Sequence, residues 1–334
     1  MTLGLGLAGT LDPGAAPDGA EGPVRWRCAL VNNMPDAAFG ATERQFVGLL
    51  DAGSGYETVV VTRHTMAGVP RGERIRARIA AEYRPLEDII SDPPDLLVVT
   101  GSNPIESRIE DEPYWSDLCG LLRWGSENVS AMVLSCLSAH AALAVFDGVE
   151  RTTLPVKCTG VFAQEADSTH PLAAGFDGPV VLPHSRLNAV PVEAVAAAGY
   201  AVALQSEEVG WSVVTKTVGR SEVVLVQGHP EYDPSSLVRE YCRDVRRYAG
   251  RERDELPCLP RDCVADPDWD GLRRLHERVV GGERDPALVA AFPFDEVGAR
   301  APWPWRGAAL RLYANLLGTI PKRRLLGTIQ KRSA

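Results

Sequence analysis

Short apolar runs alternate with amphipathic stretches along the first half of the chain. The apolar runs lie at residues 24–33, 57–62, 95–100 and 131–134. The amphipathic stretches predict helices at residues 42–50, 71–83, 114–128 and 139–146, with Thr42 near the N-terminus of the first. Apolar strands that alternate with helices are typical of a parallel sheet covered on both faces. The pattern therefore predicts an α/β fold with a mostly parallel, doubly wound sheet and flanking helices.

The second half of the chain follows a different pattern. Its apolar runs are shorter and closer together, as in hairpins, so part of the sheet is expected to be antiparallel. They lie at residues 180–182, 201–204, 211–215 and 223–227, and helices are predicted at 269–280 and 306–317. We predict a disordered leader at residues 1–22, a catalytic α/β domain at 23–250, and a C-terminal helical appendage at 251–334 packed on the core.

Composition and charge narrow the possible partners. The chain has 334 residues, of which 45% are hydrophobic and 24% charged, as in ordinary globular proteins. A net charge of -9 argues against nucleic acid as a partner. No apolar run approaches the roughly 20 residues of a membrane helix, and seven cysteines lack paired spacing. We expect a reduced, cytoplasmic protein with no membrane partner and no metal site.

Cys136 is the first candidate for chemistry. It lies between the apolar run at 131–134 and a helix-forming stretch of small residues. This pattern resembles a nucleophile elbow, a sharp strand-to-helix turn that projects a side chain and aims backbone N–H groups at one point. A helix N-terminus also favours the thiolate, the nucleophilic form of cysteine. The alternative is an inert buried cysteine, which the local pattern alone favours slightly.

The segment GHPEYD, residues 228–233, is the second candidate and directly follows an apolar run. Reactive groups gather beyond the carboxyl ends of strands in doubly wound sheets, so His229 is expected near Cys136. His229 would act as general base and Glu231 as the carboxylate that orients it. An extended backbone would point these two side chains the same way. A lone histidine is more often structural, but this combination predicts a catalytic triad.

Longer motifs resemble those of a known family. A cysteine with a His-Pro-Glu segment is shared with class I glutamine amidotransferases, but the finer motifs resemble the homoserine O-acyltransferases of the succinyltransferase type. These motifs are MP…TERQFVGLL (34–50), LLVVTG (96–101), PYW (113–115), SCLSAHAAL (135–143), KCTGVF (157–162), GFDG…PHSR (175–186) and GHPEYDPSSLVREYCRD (228–244). The resemblance implies a class I glutamine amidotransferase-like fold.

The resemblance also implies a reaction and its participants. An acyl group would move from coenzyme A to Cys136 and then to the hydroxyl of homoserine, in methionine biosynthesis. The backbone N–H of Leu137 would hold the oxyanion, and Lys157, Ser185 and Arg243 would contact the amino acid. In the similar enzymes acyl-CoA is a co-substrate and the protein is a homodimer. We expect no permanently bound cofactor.

The sequence departs from the family around the expected site. The elbow reads Cys-Leu-Ser-Ala-His, and the lysine after Met-Pro that helps to hold the oxyanion in the family is missing. Asn33, Asn103 and His140 are candidates to replace it. Serine or another hydroxy-amino acid stays open as the acceptor. Glu106 resembles the family's glutamate that accompanies acetyl-CoA use, so an acetyl donor is favoured over succinyl.

Two other functions stay open. A class I glutamine amidotransferase or γ-glutamyl hydrolase would use the same triad to attack glutamine, whereas a non-catalytic relative would keep only the fold. The motifs PHSR and REYCRD favour the acyltransferase over the amidotransferase. Retention of Cys136, His229 and Glu231 argues against a non-catalytic relative.

Overall fold

A nine-stranded mixed sheet forms the centre of the computed structural model, which describes residues 24–55, 57–104, 106 and 108–321. The strands are β1 (Val24–Val31), β2 (Thr58–His64), β3 (Leu96–Val99), β4 (Ala131–Ser135), β5 (Thr152–Ala166), β6 (Val180–Ala189), β7 (Ala201–Ser206), β8 (Gly210–Val218) and β9 (Ser221–Val226). Their order across the sheet is β2-β1-β3-β4-β9-β8-β7-β5-β6. The predicted leader lies outside the described residues.

The sheet has a parallel part and an antiparallel part. Strands β2, β1, β3, β4 and β9 pair in parallel, while β9, β8, β7, β5 and β6 pair in antiparallel fashion. The predicted α/β class is therefore confirmed, and the antiparallel part is where the closely spaced apolar runs indicated hairpins. β5 was not predicted, because its first half is mostly exposed and contains Pro155.

Helices cover both faces of the parallel part. They are α1 (Asp36–Ser54), α2 (Glu73–Glu82), α3 (Glu87–Ser91), α4 (Trp115–Asn128), α5 (Leu137–Asp147), α6 (Val192–Ala197), α7 (Ser236–Ala249), α8 (Asp268–Val280), α9 (Pro286–Ala290), α10 (Phe294–Arg300) and α11 (Arg306–Thr319). Alternate residues of β1 enter opposite cores: Leu30 packs with α1, α7 and α11, and Val31 packs with α4 and α5. No helix in the described part is long and apolar enough to cross a membrane.

The first helix begins earlier than predicted. α1 starts at Asp36, directly after the extended Pro35, so Thr42 lies buried in its second turn rather than near its N-terminus. The carboxylate of Asp36 accepts a hydrogen bond from the backbone N–H of Gly72 at 2.8 Å, and an acidic residue suits the first turn of a helix. The prediction relied on a threonine cap and missed this acidic start.

C-terminal helices pack against helices that flank the sheet. α11 lies on α1, and α10 lies on α7. The indole N–H groups of Trp303 and Trp305 donate to the backbone carbonyl of Tyr232, at 3.1 and 2.9 Å. The segment that follows β9 is therefore held partly by the C-terminal region. The division of the chain at residue 250 stays a prediction.

Candidate active site

Cys136 occupies a strained turn between β4 and α5. Its φ of 52° and ψ of -108° lie outside the regions that residues with side chains normally adopt. Its backbone N–H donates to the carbonyl of Val226 on the neighbouring strand β9 at 2.7 Å. A methyl group added at Gly101 would lie 3.3 Å from the Cβ of Cys136, so the strand end beside Cys136 is closely packed. The half-buried thiol thus projects from the carboxyl edge of the sheet, as the elbow pattern predicts.

His229 and Glu231 follow the adjacent strand and form a buried pair. β4 and β9 are neighbours, with Ser135 opposite Val226, so both chains leave the sheet at the same edge. Nδ1 of His229 lies 2.8 Å from Oε1 of Glu231, and the side chains are 8% and 4% exposed. The expected extended backbone was wrong: the segment turns, with the N–H of Tyr232 donating to the carbonyl of His229 at 3.1 Å. The turn still brings the two side chains together.

The surroundings of His229 favour its protonated form. Burial alone would lower the pKa of the imidazole, but the negative charge of Glu231 and the interaction with Cys136 outweigh burial and raise it well above its usual value. Nε2 is buried, and no other group in the described part of the chain hydrogen-bonds to it. Nε2 of His229 is therefore available to give a proton to, or take one from, a molecule bound at the Cys136 sulfur.

The three residues expected to bind the amino acid converge on two carboxylates. Nζ of Lys157 lies 2.8 Å from Oδ2 of Asp244 and 3.6 Å from Oε2 of Glu240. The hydroxyl of Ser185 donates to Glu240, and Nε of Arg243 donates to Oδ1 of Asp244 at 3.0 Å. We call these five residues the polar cluster. It combines cations and anions within a small volume.

Tyr232 connects the polar cluster to the imidazole. Its ring stacks on that of His229, with centroids 4.2 Å apart and planes 20° apart, and its hydroxyl donates to Glu240. Sequence reasoning missed Tyr232, Glu240 and Asp244. A signal existed: Glu240, Arg243 and Asp244 are three and four residues apart on α7, so they share one face of the helix.

Charge compensation keeps the carboxylates of the polar cluster ionised. Burial would raise the pKa of Glu240, but the charge of Lys157 and the hydrogen bonds from Ser185 and Tyr232 lower it below its usual value. The pKa of Asp244 is likewise lowered, because Lys157 and Arg243 outweigh the effect of burial. A ligand that enters here meets fixed charges of both signs.

Comparison with known proteins identifies the family. The sequence model of the family described as homoserine O-succinyltransferase matches residues 23–322. Proteins named homoserine O-succinyltransferase from Rhodopseudomonas palustris and Methylorubrum extorquens are each 39% identical to this chain. Their alignments cover 85% and 91% of this chain and 86% and 92% of those proteins. The chain belongs to the homoserine O-succinyltransferase family.

A third protein of that name, from Bradyrhizobium japonicum, is 36% identical, with 84% of this chain and 87% of that protein aligned. Among solved structures, a glutamine amidotransferase from Methylobacillus flagellatus aligns over 90% of this chain and 96% of its own, at 16% identity and a TM-score of 0.48.

The expected oxyanion donor of this homoserine O-succinyltransferase family member lies at the start of α5. The N–H of Leu137, at the first helical position, has no carbonyl one turn earlier to accept its hydrogen bond. A methyl group at Gly101 would lie 3.6 Å from this nitrogen, in van der Waals contact with it. The role of Leu137 stays a prediction that this geometry allows.

The three candidates to replace the family's lysine differ in their surroundings. His140 is buried and its Nε2 lies 2.9 Å from Oε1 of Gln227; burial lowers its pKa to about 4, so it is neutral at pH 7. Asn103 is exposed. Asn33 is buried, and its Nδ2 has no hydrogen-bonding partner in the described residues. Of the three, Asn33 alone has both burial and a free donor.

Glu106, the residue expected to influence the choice of acyl group, lies in the loop between β3 and α4. Its side chain is exposed, and its backbone N–H donates to Oε1 of Glu112 at 2.9 Å. Its role in this homoserine O-succinyltransferase family member stays a prediction.

Proposed function

We propose that the chain is a homoserine O-acyltransferase that moves an acyl group from coenzyme A to the side-chain hydroxyl of homoserine through an acyl-cysteine. The observation that carries the proposal is the strained, half-buried Cys136 at the same sheet edge as the buried pair of His229 and Glu231. Family membership supports the substrate class. A thiol, a base and an orienting carboxylate are the groups that this chemistry needs.

In the first step the Cys136 sulfur attacks the thioester carbonyl carbon. The carbon–sulfur bond to coenzyme A then breaks, and the departing thiolate takes the proton held at Nε2 of His229. In the second step Nε2 removes the proton of the homoserine hydroxyl as its oxygen attacks the acyl carbon. Release of the ester restores the thiolate and the imidazolium. One thioester replaces another in the first step, so the acyl-enzyme forms reversibly.

The electrostatics of His229 suit both steps. The interaction with Cys136 helps to raise the pKa of the free imidazole, and acylation removes the negative charge from the sulfur. The pKa of His229 therefore falls when the acyl-enzyme forms. The ring is an acid while coenzyme A departs and a better base when the hydroxyl must lose its proton.

The polar cluster is the proposed acceptor site. A zwitterionic amino acid carries one charge of each sign, and the cluster offers Arg243 and Lys157 for its carboxylate and Glu240 for its ammonium group. The side chain of Arg243 is 41% exposed, and a guanidinium suits bidentate contact with a carboxylate. The stacking of Tyr232 on His229, and the hydrogen bond from its hydroxyl to Glu240, support this proposal.

We further propose that acyl-CoA binds as a co-substrate, that no cofactor is held permanently, and that the protein acts as a homodimer in the cytoplasm. The resemblance to the family supports these statements. Sedimentation of the purified protein tests the dimer, because a monomer at working concentration would exclude it.

A product screen tests the function. The protein is incubated with acetyl-CoA or succinyl-CoA and with homoserine, serine or glutamine, and products are identified by mass spectrometry. We expect O-acylhomoserine from wild type and from Cys258→Ala, a cysteine outside the site, and none from Cys136→Ala. Release of ammonia from glutamine without any acyl transfer would favour the amidotransferase instead. Unchanged acyl transfer by Cys136→Ala would exclude the proposed nucleophile.

A further inference from the structure

A buried histidine, His140, lies one helical turn after the nucleophile. Its backbone N–H donates to the carbonyl of Cys136 at 3.3 Å, and the residue is 4% exposed. Nε2 of its imidazole lies 2.9 Å from Oε1 of Gln227, which is fully buried. The proposed reaction gives this ring no task, although a polar side chain is costly to bury.

The amide of Gln227 determines where the proton of His140 lies. Nε2 of Gln227 donates to the backbone carbonyl of Trp211 at 2.8 Å, so Oε1 faces the imidazole and accepts from it. The neutral ring therefore carries its proton at Nε2. The ring also packs edge-to-face on the indole of Trp211, with centroids 6.3 Å apart. Because this N–H is already used, His140 is poorly suited to hold an oxyanion at the sulfur.

Gln227 belongs to the short segment that carries the catalytic imidazole. It directly follows β9 and precedes His229 by two residues. Its backbone N–H donates to the carbonyl of Ser212 at 2.8 Å, and that of His229 donates to the carbonyl of Pro183 at 2.7 Å. Strands β8 and β6 thus hold the segment from the antiparallel part of the sheet.

The hydrogen bond between His140 and Gln227 holds the same segment from the opposite side. His140 lies on α5, the helix that begins directly after Cys136. The two catalytic strand ends are therefore joined twice, once through the backbone N–H of Cys136 and the carbonyl of Val226 at 2.7 Å, and once through these side chains. A change in the second link would alter the position of His229 relative to the sulfur.

We propose that His140 and Gln227 are positioning residues, whose hydrogen bond keeps the imidazole of His229 within proton-transfer reach of the Cys136 sulfur. The inference rests on the proposed acyltransferase function. A displacement of about 1 Å at a reacting group can lower the rate by about 100-fold. Both steps of the reaction use the same imidazole, and neither positioning side chain has to contact a substrate. Its loss should therefore lower kcat and leave KM for both substrates close to the wild-type value.

The test combines single variants, a double variant and a variant that keeps the donor. His140→Leu and Gln227→Leu each break the hydrogen bond, and the double variant removes both partners. His140→Gln replaces the ring N–H by an amide N–H. Each protein is assayed with succinyl-CoA or acetyl-CoA and homoserine, and its melting temperature is measured.

His170→Leu is the matched control. His170 is also buried, and its Nε2 lies 3.0 Å from the hydroxyl oxygen of Thr215. It lines a cavity with Ala131 at the start of β4, and so lies at the opposite edge of the sheet from Cys136. This variant removes a similar hydrogen bond far from the nucleophile, so it should keep the wild-type kcat even if its melting temperature falls.

We expect His140→Leu and Gln227→Leu each to lower kcat by about 10- to 100-fold, with KM little changed. The double variant should be no slower than either single variant, because all three lack the same hydrogen bond. His140→Gln should recover most of the wild-type kcat. The double variant also leaves fewer unpaired polar groups than the single ones, so it is assayed alone if a single variant does not fold.

Three results would overturn the inference while leaving the proposed function intact. The first is a wild-type kcat in His140→Leu or in the double variant. The second is a double variant whose loss equals the product of the two single losses, since the residues would then act separately. The third is a rise in KM with kcat unchanged, which would assign the side chains to substrate binding. Failure of wild type to transfer any acyl group would instead refute the proposed function and, with it, this inference.

Discussion

Glu231→Gln isolates the contribution of the carboxylate to the imidazole. The substitution keeps the size of the side chain and an oxygen that can accept from Nδ1 of His229, but it removes the charge. The two groups are 2.8 Å apart and the side chains are at most 8% exposed, so water does not screen the pair strongly. A hydrogen bond between charged groups contributes about 1.5–3 kcal/mol. Because about 1.4 kcal/mol is a factor of ten, we expect kcat/KM for acyl-CoA to fall by about 10- to 150-fold.

The pH dependence of the same variant carries further information. Burial lowers the pKa of His229, and the charge of Glu231 opposes that effect. Without this charge the pKa of His229 falls, so less of the imidazole is protonated at neutral pH. We therefore expect the pH profile of kcat/KM to shift to lower pH together with the loss of rate. Steady-state assays across neutral pH measure both, with Glu252→Gln, which is 65% exposed, as the control. A wild-type rate and profile in Glu231→Gln, with the melting temperature unchanged, would show that the carboxylate has no catalytic role.

Three further experiments examine neighbouring parts of the site. Converting Cys136 to its neutral methylthio derivative should lower the pKa of His229, because the interaction with the Cys136 sulfur helps to raise that pKa. NMR of labelled histidine measures the pKa, and an unchanged value would contradict the coupling between the two residues. Gly101→Ala should lower kcat by about tenfold or more, because the added methyl would press on the Cβ of Cys136 at 3.3 Å and lie beside the nitrogen of Leu137 at 3.6 Å. Steady-state kinetics together with a normal melting temperature test this, and a wild-type kcat would argue against Leu137 as the oxyanion donor. Glu106→Gly should raise the ratio of kcat/KM for succinyl-CoA to that for acetyl-CoA by only a few fold. The reason is that the interaction between exposed charges contributes only about 0.2–1 kcal/mol. An unchanged ratio would exclude Glu106 from donor selection.

The parallel core and the position of Cys136 and His229 at one edge of the sheet could be predicted because they depend on local patterns. β3 and β4 are buried on both faces, so their sequences are continuously apolar and visible as strands. Cys136, the residue directly after β4, comes shortly before small residues that allow a tight turn into α5. The same reasoning placed His229 at the neighbouring strand end, since adjacent parallel strands share one edge.

Other features depend on tertiary contacts that no local pattern reveals. The first half of β5 is mostly exposed and pairs with the edge strand β6, so its sequence is not continuously apolar. Tyr232 gains its position by stacking on His229 and by accepting hydrogen bonds from Trp303 and Trp305, more than 70 residues away in sequence.

Formation of an acyl-cysteine is the most direct test of the chemistry proposed for this site. The protein is mixed with succinyl-CoA or acetyl-CoA in the absence of acceptor, digested, and analysed by mass spectrometry; homoserine is then added to a second sample. We expect one acyl group on the peptide that contains Cys136, and its transfer to homoserine as the ester. A glutamyl adduct formed from glutamine, with no acyl adduct from either thioester, would contradict the proposed reaction.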